Sequence, residues 1–329
     1  MSPDIDRRTF VQSTGTAVAG TAVTGVAAGR GEERSDDTGS PSGGVDSEDV
    51  SLVAHRGFAG RYPENTVGAV EAASTGGTSA SSVNRRADMI EIDVLPTADG
   101  TVVVFHDDGL ATRDGGTRGL TDASGIVWET DTETVTSARV LGTDETVPTL
   151  TDVMDAIPPS VGVNVEFKNP GSGDVAFATD LSGDALAAQA DIWRPFTETV
   201  LDVVSAYEND ILVSSFYEAA IATVREMDDS IPVAFLFWDD VQTGLDITRE
   251  YDCEALNVPW NMVQGTPFFN DEYYVDGRFD DVDLVALAHD EGRELNTYTV
   301  GTWYQAQQLA RAGVDGIIAD YPGLLGVEG

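Results

Sequence analysis

Lysine is all but missing from this chain. Of 18 basic residues in 329, one is lysine, Lys168, and the rest are arginine. Basic residues of either kind are few against 57 acids, so the net charge is −39. Without a broad basic face, nucleic acid and an anionic membrane are excluded as partners. Cysteine is equally scarce. The single thiol, Cys253, excludes an intrachain disulfide and a cysteine-built zinc site, and it reads as a buried structural residue. No G-x-G-x-x-G follows the first β-type run, which weakens a dinucleotide-binding fold.

The hydrophobic fraction of 41% is enough for a substantial core in one large domain or two small ones. Long aliphatic runs after residue 50 argue against disorder as the reason for the charge. An acid-rich, lysine-poor and ordered chain suits a halophile, because molar salt screens self-repulsion to about 3 Å. Residues 1–30 resemble a twin-arginine export signal. Arg7-Arg8 precedes a mild apolar run that is too short and too rich in Gly and Thr to span a membrane stably, and Val26-Ala27-Ala28 offers a cleavage site. The alternative is a disordered N-terminus with a chance arginine pair. Residues 31–50 form a polar, acidic linker expected to be disordered.

From residue 51 to 329 short β-type runs alternate with helical ones. Strands are expected at Leu52–Ala54, Met89–Leu95, Val102–Phe105, Val161–Phe167, Ile211–Phe216, Pro232–Phe237, Ala255–Pro259, Leu295–Val300 and Gly316–Ala319. Helices are expected at Thr66–Ala73, Leu150–Ala156, Ala185–Ala190, Thr197–Tyr207, Glu218–Met227, Val241–Glu250, Val282–Glu291 and Trp303–Ala312. Such alternation implies an α/β protein, a parallel sheet with helices outside it. An open doubly wound sheet and a closed barrel both fit, and the strand count favours a TIM (β/α)8 barrel. Two stretches interrupt the alternation. One is the Gly-, Ser- and Arg-rich loop Gly76–Arg86. The other, about 109–147, reads as a small insertion after the second strand.

Chemistry in such a barrel gathers where strands end. In the run MIEIDVL, Glu91 and Asp93 share one face while Ile90, Ile92 and Val94 share the other. In VGVNVEFKN, Asn164, Glu166 and Lys168 again take the face opposite the aliphatics. Glu91, Asp93 and Glu166 can therefore converge. Their repulsion is tolerable around a hard dication, for which oxygen ligands suit Mg²⁺ or Ca²⁺. A single acid at a strand end is more simply a solvated charge, but two strands in phase make that reading weaker. His55 and His106, at the ends of two strands, can serve as general acid and base. His289 lies near a helix end and reads as a cap or a packing residue. Arg56 and Lys168 add positive charge for an anionic substrate, and arginine matches phosphate oxygens bidentately. Together these groups suit chemistry at phosphorus.

The motifs HRG (55–57), PENT (63–66), EIDV (91–94), FHD (105–107), EFK (166–168), SSF (214–216), NTYTV (296–300) and GVDGIIADYP (313–322) occur in this order. Together they resemble the glycerophosphodiester phosphodiesterases over roughly residues 51–325. The resemblance implies a TIM barrel with a small insertion, and hydrolysis of glycerophosphodiesters to glycerol 3-phosphate and an alcohol. It implies His55 and His106 as the acid/base pair, Glu91, Asp93 and Glu166 around a divalent cation, and Arg56 and Lys168 on the phosphate. Glu64 would lie at the site edge, orienting a ligand or its loop; the plainer reading is an acid at a helix N-terminus. Tyr298 stands where the family usually has tryptophan, which alters the substrate-facing wall. The loop Asn261–Asp281, rich in aromatics, reads as surface packing more than as a cap. Two rival readings remain: a phospholipase acting on intact phospholipid, which should carry an exposed apolar rim, and a non-catalytic binder of phosphorylated glycerol compounds. The oligomeric state is not legible.

Overall fold

A computed structural model describes residues 50–76, 85–113, 120–177, 179, 181–274, 279 and 281–325. The expected export signal, and the linker apart from Val50, lie outside the described residues, as does most of the Gly76–Arg86 loop. The strands in chain order are β1 (Ser51–Ala54), β2 (Met89–Pro96), β3 (Val102–Val104), β4 (Gly162–Phe167), β5 (Ile211–Ser215), β6 (Val233–Leu236), β7 (Ala255–Pro259), β8 (Glu294–Val300) and β9 (Gly316–Ala319). All except β3 run parallel, and β1 pairs with both β2 and β9, so eight strands close into the expected TIM barrel.

β3 is the exception to the parallel sheet that the alternation implies. It runs antiparallel to β2, with Val94 opposite Val104. The connection is too short for anything else, because a parallel crossover needs a dozen or more residues. Thr97 and Thr101 close the turn instead, with Gly100 at φ +81°. The hairpin returns the chain to the site, where the Phe105 N–H donates to the Asp93 carbonyl at 2.9 Å.

The helices are α1 (Val67–Thr75), α2 (Thr132–Ser137), α3 (Leu150–Ala156), α4 (Gly183–Val204), α5 (Glu218–Met227), α6 (Val241–Glu250), α7 (Leu284–Asp290) and α8 (Trp303–Ala312). α4 replaces the two helices expected there. It runs straight through Pro195, although proline removes a backbone donor. Its buried stripe explains why: Trp193, Phe196, Val200 and Val204 recur at helical spacing across the proline. Trp193 and Phe196 then pack on Phe167 of β4, with ring centroids at 6.3 and 5.1 Å.

The period-two pattern sorts β2 and β4 as expected. Ile90, Ile92, Val94, Val163, Val165 and Phe167 join the main core between barrel and helices. The opposite residues fill the barrel. Val53, Leu236, Ile318 and Tyr298 form one apolar cluster inside it, and Leu212, Ala234 and Ala255 form another. The inserted segment has its own small core of Leu110, Leu120, Val127, Val135, Ala138, Val140 and Val147, shared with Leu95, Val103 and Phe105 of the hairpin. Residues 114–119 within it lie outside the described residues. Cys253 is fully buried, and burial pushes its thiol up to about 12.

Candidate active site

Register brings the acids together. Glu91 is the partner of Asn164, and Asp93 is the partner of Glu166, which in turn pairs with Ser214 on β5. Partners in a parallel ladder face the same side, so all five side chains point into the barrel. Each of Glu91, Asp93 and Glu166 offers a carboxylate oxygen within 4.8 Å of the others. All three are buried. Burial, then repulsion from Asp93 and Glu166, raises Glu91 well above the carboxylate range; burial chiefly raises Glu166 as well. Burial also acts against Asp93, but the charges of Lys168 and Arg56 outweigh it and hold Asp93 low.

A dication fits this donor set. All three ligands are hard oxygens. Glu91 Oε1 is buried and lacks a hydrogen-bond partner among the described residues. Asp93 Oδ1 has only the ion-pair approach of Lys168 Nζ at 3.1 Å. Two more oxygens in the same pocket, Asn164 Oδ1 and Ser214 Oγ, are buried without a hydrogen-bond partner among the described residues.

An interlocked set of charges surrounds the triad. The segment after β1 turns sharply, with Arg56, Phe58 and Asn65 all in the left-handed region at φ 51°, 68° and 57°. Left-handed backbone at non-glycine residues costs energy and persists only where surroundings enforce it. Here the enforcement is visible. The Arg56 N–H donates to Glu91 Oε2 at 2.8 Å, its Nη1 to Glu64 Oε1 at 2.9 Å, and its Nε lies 3.2 Å from Asp93 Oδ2. Asn65 Nδ2 donates to Asp93 Oδ2 at 2.8 Å. Gly57 admits α1 at close range, since a Cβ there would lie 2.8 Å from the Ala69 Cβ.

Glu64 is buried and is not the helix-terminal acid of the plainer reading. Thr66 caps α1, accepting from the Ala69 N–H. The Glu64 carboxylate instead takes Arg56 and both Nη atoms of Arg113, at 2.8 and 2.6 Å. Lys168 lies across the triad, ion-paired to Glu166 and Asp93. Burial works against its charge, but those two carboxylates raise its pKa and keep it protonated.

His55 and His106 both line the pocket with Arg56, Glu91, Glu166 and Lys168. Each ring is tethered through Nδ1 to a carboxylate: His55 to Asp320 Oδ1 and His106 to Asp107 Oδ1, both at 2.7 Å. A carboxylate can only accept, so Nδ1 carries the proton and Nε2 is the atom left for proton transfer. Burial, with the charges of Arg56 and Lys168, brings His106 down to about 4, so it is neutral at neutral pH. His289 sits apart, half exposed and paired with Asp315 at 2.9 Å.

The facing wall is aromatic. Phe216, Tyr274 and Tyr298 line the pocket, with Tyr298 centroids 5.9 Å from Phe216 and 6.1 Å from Tyr274. The Tyr298 hydroxyl donates to the Phe237 carbonyl at 3.0 Å, so its ring, and not its hydroxyl, forms the wall. The loop after β7 packs as expected, Trp260 against Phe268 and Tyr273, while Tyr274 extends it into the pocket.

The sequence reading named every member of the triad, both histidines, Arg56 and Lys168, and the structure gathers them. It passed over Asn65, Asp107 and Asp320, although each lies inside a quoted motif; their side chains act on other residues, which spacing does not reveal. Arg113 had no signal, because its partners are 49 and 6 residues away.

Two carboxylate-tethered imidazoles beside a buried carboxylate triad and two cations, at the mouth of a closed barrel, suit chemistry at phosphorus. A family model narrows this. The description glycerophosphoryl diester phosphodiesterase family matches residues 55–324, and the chain belongs to that family. The chain is 26% identical to a glycerophosphodiester phosphodiesterase of Bacillus altitudinis, over 83% of this chain and 95% of the relative. A 66-residue stretch is 42% identical to a lysophospholipase D of Mus musculus, covering 20% of this chain and 17% of that protein. The fold is similar to an Oleispira antarctica phosphodiesterase solved with sn-glycerol-3-phosphate, with a TM-score of 0.62 and 21% identity over 85% of this chain and 96% of that one. The chain is thus a phosphoric diester hydrolase, and the non-catalytic reading falls away.

Glu64 neutralises two arginines in a buried place, so its loss leaves both without their shared partner. We expect Glu64→Ala to cost about 3–5 kcal/mol, the range for breaking a buried ion pair. Urea unfolding beside the wild type measures it. A loss below about 1 kcal/mol, the range of exposed pairs, would show the cluster to be solvent-screened.

Proposed function

We propose that the chain hydrolyses small glycerophosphodiesters to glycerol 3-phosphate and an alcohol, with Mg²⁺ or Ca²⁺ at Glu91, Asp93 and Glu166. One observation carries this reading: two imidazoles, each fixed through Nδ1 to a carboxylate, line the same pocket as Glu91 and Glu166 of the triad. Arg56 has donors to spare after its Glu64 bond and, with Lys168, receives the phosphate oxygens. His106, neutral, is suited to take a proton from the attacking oxygen at Nε2, and His55, when it carries a proton on both ring nitrogens, to supply the one on Nε2 to the leaving oxygen. When bound, the cation would polarise a phosphoryl oxygen. The aromatic wall of Phe216, Tyr274 and Tyr298 supports the uncharged part of the substrate and keeps water from it.

A coupled assay for glycerol 3-phosphate at high salt tests this. Chelator should abolish turnover, and Mg²⁺ or Ca²⁺ should restore it; activity that persists in EDTA removes the cation from the scheme. His106→Ala should lower kcat by about 10²–10⁴-fold. Normal turnover in that variant would reject the histidine assignment.

Phospholipid as substrate is a second reading, and the exposed rim favours it. Six large apolar side chains stand well exposed among the described residues: Ile126, Leu141, Phe177, Trp303, Tyr304 and Tyr321. All lie in segments that leave the site-bearing end of the barrel, in the insertion or just after β4, β8 and β9. Contiguous exposed apolar groups mark contact surfaces, and Trp303 and Tyr304 are in ring contact at 5.8 Å. With a net charge of −39, a zwitterionic surface is the one such a rim would tolerate. Glycerophosphocholine, glycerophosphoethanolamine, glycerophosphoglycerol and a phospholipid, each at equal concentration, separate the two readings. Faster turnover of the lipid would displace the small-diester reading.

We also propose export, and adaptation to high salt, on the Arg7-Arg8 pair and the acid excess. Replacing both arginines by lysine should retain the protein in the cytoplasm; unchanged export would reject the twin-arginine route.

A further inference from the structure

His106 and Asp107 are neighbours in sequence, yet their side chains are bonded at 2.7 Å. The backbone bends at His106, so the alternation of an extended strand does not separate the two side chains, and the far oxygen of Asp107 is held as well. Arg113 Nε donates to Asp107 Oδ2 at 2.9 Å. The other edge of the same guanidinium is locked to both oxygens of Glu64, at 2.8 and 2.6 Å. A planar fork held at one end by a bidentate carboxylate is a rigid support for what it touches at the other.

The second histidine makes a useful contrast. Asp320, which holds His55, is about a third exposed, and its side chain has no further partner among the described residues. Asp107 is 6% exposed and clamped from behind. The two rings are thus held in different ways. Arg113 belongs to the inserted segment, and among the described residues it is the side chain by which the insertion lines the pocket.

We propose that Arg113 is a positioning residue, which holds Asp107 and through it fixes the His106 ring with its proton on Nδ1 and Nε2 toward the substrate. The inference rests on the reading of His106 as a proton-transfer group. Arg113 touches no reacting atom; its effect is on how often His106 is correctly set. Outer partners of this kind are worth roughly 10–100-fold in activity. The term that falls most is kcat, because Lys168 is bonded elsewhere and Arg56, although it shares Glu64 with Arg113, keeps its own bonds to Glu64 and Glu91.

The chain has three histidines, so nitrogen-15 spectra of histidine-labelled protein resolve each ring. In the wild type at neutral pH the His106 ring should be neutral with its proton on Nδ1. Arg113→Met keeps the length and loses the fork. It should show a mixture of the two tautomers at His106 and a kcat lower by about 10–100-fold, with KM changed much less. Arg113→Lys can satisfy one carboxylate but not both, and should fall between. A single Nδ1–H tautomer with wild-type kcat in Arg113→Met would overturn the proposal. If that variant does not fold, the wild-type spectrum still decides, since a proton on Nε2 contradicts the clamp. His106→Ala, run in parallel, separates the two claims: if it retains activity, the catalytic reading of His106 fails, whatever Arg113 does.

Discussion

Three carboxylates packed into the dry end of a barrel repel one another, and most of the structure around them answers that repulsion. Glu91 and Glu166 are driven toward their protonated forms, while Asp93 is held ionised by Lys168 and Arg56. Arg56 turns through left-handed backbone to place its N–H on Glu91 and its side chain against Asp93. Glu64 then neutralises Arg56 and anchors Arg113. Five carboxylates and three cations interlock in this way, and a buried network of that kind is stable only while every member is present. A dication at the triad would offset the burial and repulsion that push Glu91 and Glu166 toward protonation.

The barrel supplies this arrangement because parallel register puts acids from adjacent strands side by side. Asp93 and Glu166 are direct partners, so their distance is set by strand spacing and not by loop conformation. The histidines are mounted differently. They sit just past β1 and just past β3, where the chain has left the ladder, and each depends on a carboxylate to hold its ring. The antiparallel hairpin matters here. By turning back beside β2 it returns His106 to the level of Asp93, which a crossover helix in that place would not do.

Much of this was legible in the chain. The alternation in MIEIDVL and VGVNVEF announced both the barrel strands and the inward acids, because a strand's period of two leaves no other face for them. Apolar spacing located most helices within a few residues. It divides α4 into two helices, whereas the buried stripe of Trp193, Phe196, Val200 and Val204 runs across Pro195 and joins them. The five-residue turn between β2 and β3 is too short for a parallel crossover, and Val102–Val104 runs antiparallel accordingly.

The sequence by itself determined which side chains face inward, which residue types could do chemistry, and that a lone lysine beside an acid had a place away from the general surface. Those properties are local, written in period, composition and neighbouring residues. Only the tertiary structure decided the partners: that Glu64 binds two arginines instead of capping a helix, that Tyr298 spends its hydroxyl on Phe237, and that Arg113 reaches Asp107 and Glu64. Such contacts join residues distant along the chain, and only folding, by closing the barrel and seating the insertion on it, brings their donors within bonding distance.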